Sequence, residues 1–190
     1  MSRLILVRHA EPVEEARGRC YGTLDLELSP RGREQAAALA QRLANEPIDC
    51  VYVSPRRRAV QTAAALARPV VTDDRLRELD FGDFEGRTYE EIERDEPAVF
   101  RDWMTSPTTV RFPNGETYTD LRARVTAALE EIRGRHAVAV VVTHGGVIRA
   151  GLAEWLELPD HAIFRLDQAY CGITVVDWLE GEPIVRSLNG

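Results

Sequence analysis

Cysteine is scarce. The 190-residue chain has only Cys20, Cys50 and Cys171, scattered and without CxxC spacing. An odd, sparse set speaks against a disulfide-stapled fold and fits a reducing compartment such as the cytoplasm. Long apolar runs are missing too: no stretch approaches the roughly 20 residues of a membrane span. Met1-Ser2-Arg3 leads straight into an apolar segment, so no secretory leader is expected. Positive charge is outnumbered, with a formal net charge of −7. Such a chain repels polyanions on average, which argues against a nucleic-acid partner. A small anion would need a local basic pocket, and Arg56-Arg57-Arg58 is the candidate. Internal repeats and low-complexity tracts are absent. With 44% hydrophobic residues the chain is not disordered, and its length suits one domain over residues 1–190.

What is present alternates between strands and helices. Leu4-Ile5-Leu6-Val7 is a continuous apolar run, the mark of a buried central strand in a parallel sheet, and Arg8-His9 follow it directly. Residues 14–25 are polar, with Gly18 and Gly22, and read as a loop. Ser29-Pro30 opens a helix as N-cap and N1, with Ala36, Leu39, Ala40 and Leu43 as its stripe. Residues 48–53 read as a strand, 56–67 as a helix with the three arginines in its first turn, and 70–72 as a short edge strand. Between Asp83 and Glu116 aromatics, acids and prolines mix without a period. This stretch reads as an excursion over the crevice, with a helix spanning 89–103. Thr117 caps the next helix, with Asp120 at capping-box distance. Residues 137–142 are a second continuous apolar run, ending in Thr143-His144-Gly145-Gly146 before a helix over 147–156. Residues 172–177 and 183–188 close the chain as two strands around Glu180-Gly181. The expected architecture is a three-layer α/β/α sandwich with a mostly parallel central sheet.

In such sheets the ligand crevice lies beyond the carboxyl ends of the strands. Two buried strands end there in a histidine, His9 and His144, so the two imidazoles converge despite their distance in sequence. Arg8 stands beside one, and Gly145 follows the other just before the start of a helix, where a backbone N–H suits an anion.

These residues also carry a family resemblance. Arg8-His9-Ala10-Glu11 resembles the Arg-His-Gly signature of the histidine phosphatase superfamily, which includes the phosphoglycerate mutases. Residues 25–36, 54–63 and 76–82 and the block from Thr143 to Gly146 resemble further family blocks in the family's order, across nearly the whole chain. The resemblance implies a phosphoglycerate mutase-like fold and a phosphomonoesterase of a small phosphorylated metabolite. By it His9 is the nucleophile that becomes phosphohistidine, with no metal and no cofactor, and Arg8, Arg58 and His144 hold the phosphoryl oxygens. Glu78, set among Leu76, Leu79 and Phe81, matches the proton donor, with Asp80 and Glu11 as competitors. Tyr21 and Gly22 line the phosphate pocket, while Arg56 and Arg57 are solvated or at its rim. The Cys20-Tyr21-Gly22 loop and the closing segment resemble the α-ribazole phosphatase branch.

Three departures stand out: Ala10 for glycine, Pro12 for threonine, and Glu15 where many members have an asparagine that touches phosphate. The mutase alternative calls for a larger enclosing insertion than residues 83–116. A non-catalytic phosphate-binding module would not need all five of Arg8, His9, Arg58, Glu78 and His144. A two-histidine, one-carboxylate iron site from His9, Glu11 and His144 is a third alternative, although such sites sit on all-β barrels. Oligomeric state is open, with a homodimer through an exposed edge strand as one outcome.

Overall fold

Leu4, Ile5, Leu6 and Val7 are all fully buried, at 1% exposure or less. They form the centre of strand β1 (Ser2–Arg8), which the computed structural model, describing residues 2–190, places inside a six-stranded sheet. The other strands are β2 (Cys50–Val53), β3 (Val70–Thr72), β4 (Val138–Thr143), β5 (Ile173–Leu179) and β6 (Glu182–Ser187), in the spatial order β3-β2-β4-β1-β5-β6. β1 to β4 run parallel to one another, β5 is antiparallel to β1, and β6, antiparallel to β5, runs with the first four.

The period-2 alternation of the strands divides the core into two layers. Ile5, Val7, Val51, Val53, Val140 and Val142 pack against Leu39, Ala59 and Ala63 from helices α1 (Pro30–Arg42) and α2 (Arg57–Ala64). Leu4, Leu6, Ala139 and Val141 belong to the opposite layer, which also holds Leu129 and Ile148. The excursion contributes α3 (Tyr89–Asp95) and α4 (Pro97–Thr105), α5 spans Tyr118–Arg135, α6 spans Gly145–Trp155, and α7 is a single turn at Asp160–Ile163. This is the three-layer α/β/α arrangement read from the sequence. Among the described residues no helix is long and apolar enough to cross a membrane.

Local chemistry sets the helix ends. The Ser29 hydroxyl accepts the Gly32 N–H with Pro30 at N1, and Thr117 and Asp120 form a full capping box. The helix expected over 89–103 is two helices. Pro97 disfavours the α region for the residue before it, and Glu96 sits at φ −131°, ψ 54°, so α3 ends and Pro97 becomes N1 of α4. The polar stretch at 14–25 contains one 3₁₀ turn at Glu14–Ala16, and α6 starts at Gly145, two residues earlier than its apolar stripe suggests. Phe84, Ile92, Trp103 and Phe112 of the excursion share the core of α5 and α6.

Candidate active site

Register brings three strand ends together. Arg8 pairs with Thr143 and Val53 with Val142, so the next residues, His9, His144 and Ser54, sit side by side on one edge of the sheet. His9 and His144 have ring centroids 5.1 Å apart, and both are buried. His9 Nδ1 lies 2.7 Å from the Ala10 carbonyl. A carbonyl only accepts, so Nδ1 carries the proton and Nε2 keeps its lone pair. Burial holds the His9 pKa well below the usual imidazole value, and the charges of Arg58 and Arg8 push it the same way. The ring is therefore neutral at physiological pH, the state a nucleophile needs. His144 is lowered in the same way by burial, Arg58, His9, Arg56 and Arg8; its Nε2 meets Ser54 Oγ at 2.7 Å and its Nδ1 is buried without a partner.

Cations crowd this pair, and the charge of Glu78 acts on Arg58 and Arg149 without forming an ion pair with either. Arg57 is paired with Asp25 and Glu27, and Arg124 with Glu116, whereas Arg8, Arg58 and Arg149 form no ion pair among the described residues. Arg8 donates to the Gln168 carbonyl and to Tyr21 Oη, and its guanidinium lies 4.2 Å from the Tyr170 ring centre. Arg58 is wholly buried; its Nη groups donate to the carbonyls of Leu24, Tyr21 and Gly22 at 2.7, 2.9 and 3.1 Å. Nε of Arg8, Arg56 and Arg58 has no hydrogen-bond partner among the described residues. A Cβ on Gly145 would sit 3.2 Å from Arg149 Nη1 and 3.7 Å from Arg8 Nε, which places Gly145 among the cations. Unpaired buried guanidinium groups are costly, and a bound oxyanion relieves that cost.

Glu78 faces the same helix start. Its Oε2 accepts the Gly146 N–H at 3.0 Å and its Oε1 the Leu79 N–H at 3.0 Å. A Cβ on Gly146 would come within 2.2 Å of Oε1, so the residue there must be glycine for the carboxyl to stay. The competitors are engaged elsewhere: Asp80 accepts from Gly82 N in its own turn, and Glu11 from Ser29 Oγ at the start of α1.

Residues 4–190 match the model of the histidine phosphatase superfamily, branch 1. The chain belongs to that superfamily. Phosphoserine phosphatase 1 of Hydrogenobacter thermophilus is 42% identical to it over 197 residues, covering 100% of this chain and 92% of that protein. A solved Escherichia coli K-12 structure provisionally assigned as an α-ribazole-5′-P phosphatase superimposes with TM-score 0.90 at 27% identity, covering 100% of this chain and 96% of that one. A phosphoserine phosphatase variant from Entamoeba histolytica in complex with phosphoserine superimposes with TM-score 0.89 at 27% identity, covering 100% and 98%.

Within this histidine phosphatase the residues singled out from the sequence fall as follows. Arg8, His9, Arg58, His144, Gly145 and Glu78 gather at the sheet edge. Tyr21 is there too, its ring 6.4 Å from His9 and its hydroxyl 3.1 Å from that of Tyr170. Gly22 packs against backbone, since a Cβ would sit 1.7 Å from the Leu79 carbonyl oxygen. Arg58 spends most of its donors on the 21–24 loop, so it shapes that loop as well as facing the imidazoles. Arg57 is exposed and paired, but Arg56 is half-buried and bears on His144. Ala10 is fully buried, its N–H bonded to Thr62 Oγ1 at 2.9 Å, which explains why only a small residue fits. Glu15 is exposed on the 3₁₀ turn. Glu11, His9 and His144 do not assemble as a metal triad: each is bonded elsewhere, and no metal-holding cluster of such groups occurs among the described residues.

Sequence reasoning missed Ser54, Arg149, Gln168 and Tyr170. Ser54 had a signal, because it follows a third parallel strand as His9 and His144 follow theirs. Gln168 and Tyr170 lie in an aperiodic turn segment, and no pattern marked them.

Proposed function

We propose that the protein hydrolyses phosphomonoesters of small metabolites through a phosphohistidine on His9. The His9 Nε2 lone pair forms the N–P bond as the ester P–O bond breaks, and the electron pair leaves with the alcohol oxygen, which takes its proton from Glu78. Water then attacks phosphorus, Glu78 takes back a proton, and the N–P bond breaks to release phosphate. Arg8, Arg58, His144 and the Gly145 N–H hold the oxygens where charge spreads. The observation that carries the reading is the tautomer: Nδ1 is committed to the Ala10 carbonyl, leaving a neutral Nε2 among unpaired cations.

The names of the relatives make phosphoserine and α-ribazole 5′-phosphate the first substrates to assay. We take the enzyme as cytoplasmic, which its three free cysteines support. Pairing of two copies through the β3 edge, where Val70 and Val71 are exposed, is part of the same reading. The test is phosphate release in EDTA together with quench-trapped, acid-labile phosphate on the protein. His9→Ala is expected to abolish both. Turnover by His9→Ala at the native rate would overturn the proposal.

A further inference from the structure

Glu78 and Gly146 also wall a cavity of about 500 Å³. Apart from them and Arg149, its lining is apolar or aromatic, with Phe81, Tyr89, Trp103, Met104, Tyr118 and Phe164 among it. Tyr89 stacks on Trp103 at 5.4 Å, Phe81 lies 5.8 Å from Trp103, and Tyr118 lies 5.8 Å from Phe164. The excursion thus supplies one aromatic wall, and α5 with the turn after α7 supplies the other.

At the rim Tyr89, Met104 and Phe164 are left 41%, 51% and 47% exposed. Apolar side chains clustered in water around a concave site mark a binding surface. Polar features inside are few. The Tyr118 hydroxyl is buried without a hydrogen-bond partner. Arg149 donates Nε to the Leu166 carbonyl and has no carboxylate partner, and its Nη1 reaches toward Gly145, between the cavity and the oxyanion site.

Resting on the reading that Glu78 protonates the departing oxygen, we infer that this cavity receives the alcohol and that the preferred substrate class is a phosphomonoester of an aromatic or bulky apolar alcohol. The group bonded through that oxygen has to lie next to the Glu78 carboxyl, and the space on offer there is this cavity. An amino-acid or polyol alcohol would leave its hydrophilic groups facing rings, with only Arg149 and the Tyr118 hydroxyl to meet them. The desolvation of those groups disfavours it. An apolar alcohol gains from burial with each carbon added.

The test uses primary n-alkyl phosphates from ethyl to hexyl, whose leaving-group acidity barely changes, together with 2-phenylethyl phosphate and phosphoserine. We expect kcat/KM to rise about fourfold per methylene until the cavity is filled. We expect 2-phenylethyl phosphate to exceed phosphoserine by about tenfold or more. Phe164→Ser and Met104→Ser, both at exposed positions of the rim, are expected to flatten the slope of kcat/KM against chain length. A flat or falling series, or preference for phosphoserine, with phosphohistidine still formed on His9, overturns this inference and leaves the phosphatase reading intact. Absence of turnover and of phosphohistidine with every ester removes both.

Discussion

Ser54 Oγ lies 2.7 Å from His144 Nε2, and the same oxygen accepts the Arg56 N–H at 3.4 Å. With one of its two lone pairs facing that donor, the hydroxyl can give its proton to Nε2. A neutral His144 then carries its own proton on Nδ1, which is buried and unpartnered and so available to an oxyanion. The two histidines at the sheet edge are therefore held in complementary states. His9 is held by a carbonyl so that it offers a lone pair, and His144 by a hydroxyl so that it offers a proton.

Ser54→Ala removes that constraint. The orphaned buried Nε2 is expected to cost about 1–3 kcal/mol of stability, and the loss of ring orientation about 10- to 100-fold in kcat/KM. Ser54→Thr keeps the hydroxyl and should retain more activity than the alanine variant. Equal activity in all three proteins would show that His144 does not depend on Ser54.

The pKa values of both imidazoles are lowered in the folded state, chiefly by burial. In the unfolded chain they titrate near 6.5. As pH falls below that value the unfolded state takes up protons that the folded state refuses, so stability present at pH 7.5 is lost toward pH 5.5. With two such groups the slope approaches 3 kcal/mol per pH unit as an order-of-magnitude ceiling. Urea midpoints at pH 7.5, 6.5 and 5.5 measure it, and His9→Gln should shallow the fall. A midpoint that holds steady over that range would contradict neutral burial of the pair.

Much of this edge was legible because the controlling signals are local. The continuous apolar runs before His9 and His144 announce central strands, and Ser29-Pro30 and Thr117-Asp120 announce helix starts. What escaped is non-local. Arg149 lies on α6 but turns its guanidinium to the Leu166 carbonyl and toward Gly145, a direction that helical spacing does not record. Tyr170 and Gln168 reach Arg8 from a segment without periodicity. Of the two positions read for Arg56, solvent or the crevice rim, the rim is where it stands. As N-cap of α2 it is the one member of the arginine triplet outside the helical register, and its side chain is half-buried near His144 instead of free in solvent.

Glu78 should matter in proportion to how much its leaving group needs a proton. Glu78→Gln is expected to lower kcat about 10²- to 10⁴-fold for alkyl phosphates. Read as kcat/KM, which reports phosphohistidine formation and not its shared hydrolysis, the effect should be far smaller on p-nitrophenyl phosphate, whose phenolate departs unprotonated. Gly146→Ala, with its new Cβ driven into the Glu78 carboxyl, should show the same selective pattern while leaving inorganic phosphate binding unchanged. Uniform losses across both ester types would move the proton donor elsewhere.

Arg124 fixes Glu78 from behind. Its Nη1 donates to the carbonyls of Arg75 and Arg77 at 2.8 and 2.7 Å, and its Nη2 to the carbonyl of Glu78 at 3.0 Å. The same guanidinium grips both oxygens of Glu116 at 2.9 and 2.8 Å. Burial works to raise the Glu116 pKa, but the bonds and charge of Arg124 outweigh it and leave the carboxyl lowered and ionised. Arg124→Met therefore leaves the half-buried Glu116 carboxylate with only the Arg77 guanidinium at 3.5 Å and the Asp80 N–H at 3.1 Å, at an expected cost of roughly 1–3 kcal/mol after allowing for partial solvent screening. The double variant Arg124→Met with Glu116→Leu removes both charges and should recover most of that stability. It does not restore the three carbonyl contacts that position the 75–78 segment. We therefore expect the double variant to fold yet keep the selective defect of Glu78→Gln, slow on alkyl phosphates and near normal on p-nitrophenyl phosphate. Thermal melts paired with the two assays measure this, and a double variant with full activity on alkyl phosphates would reduce Arg124 to a purely structural role.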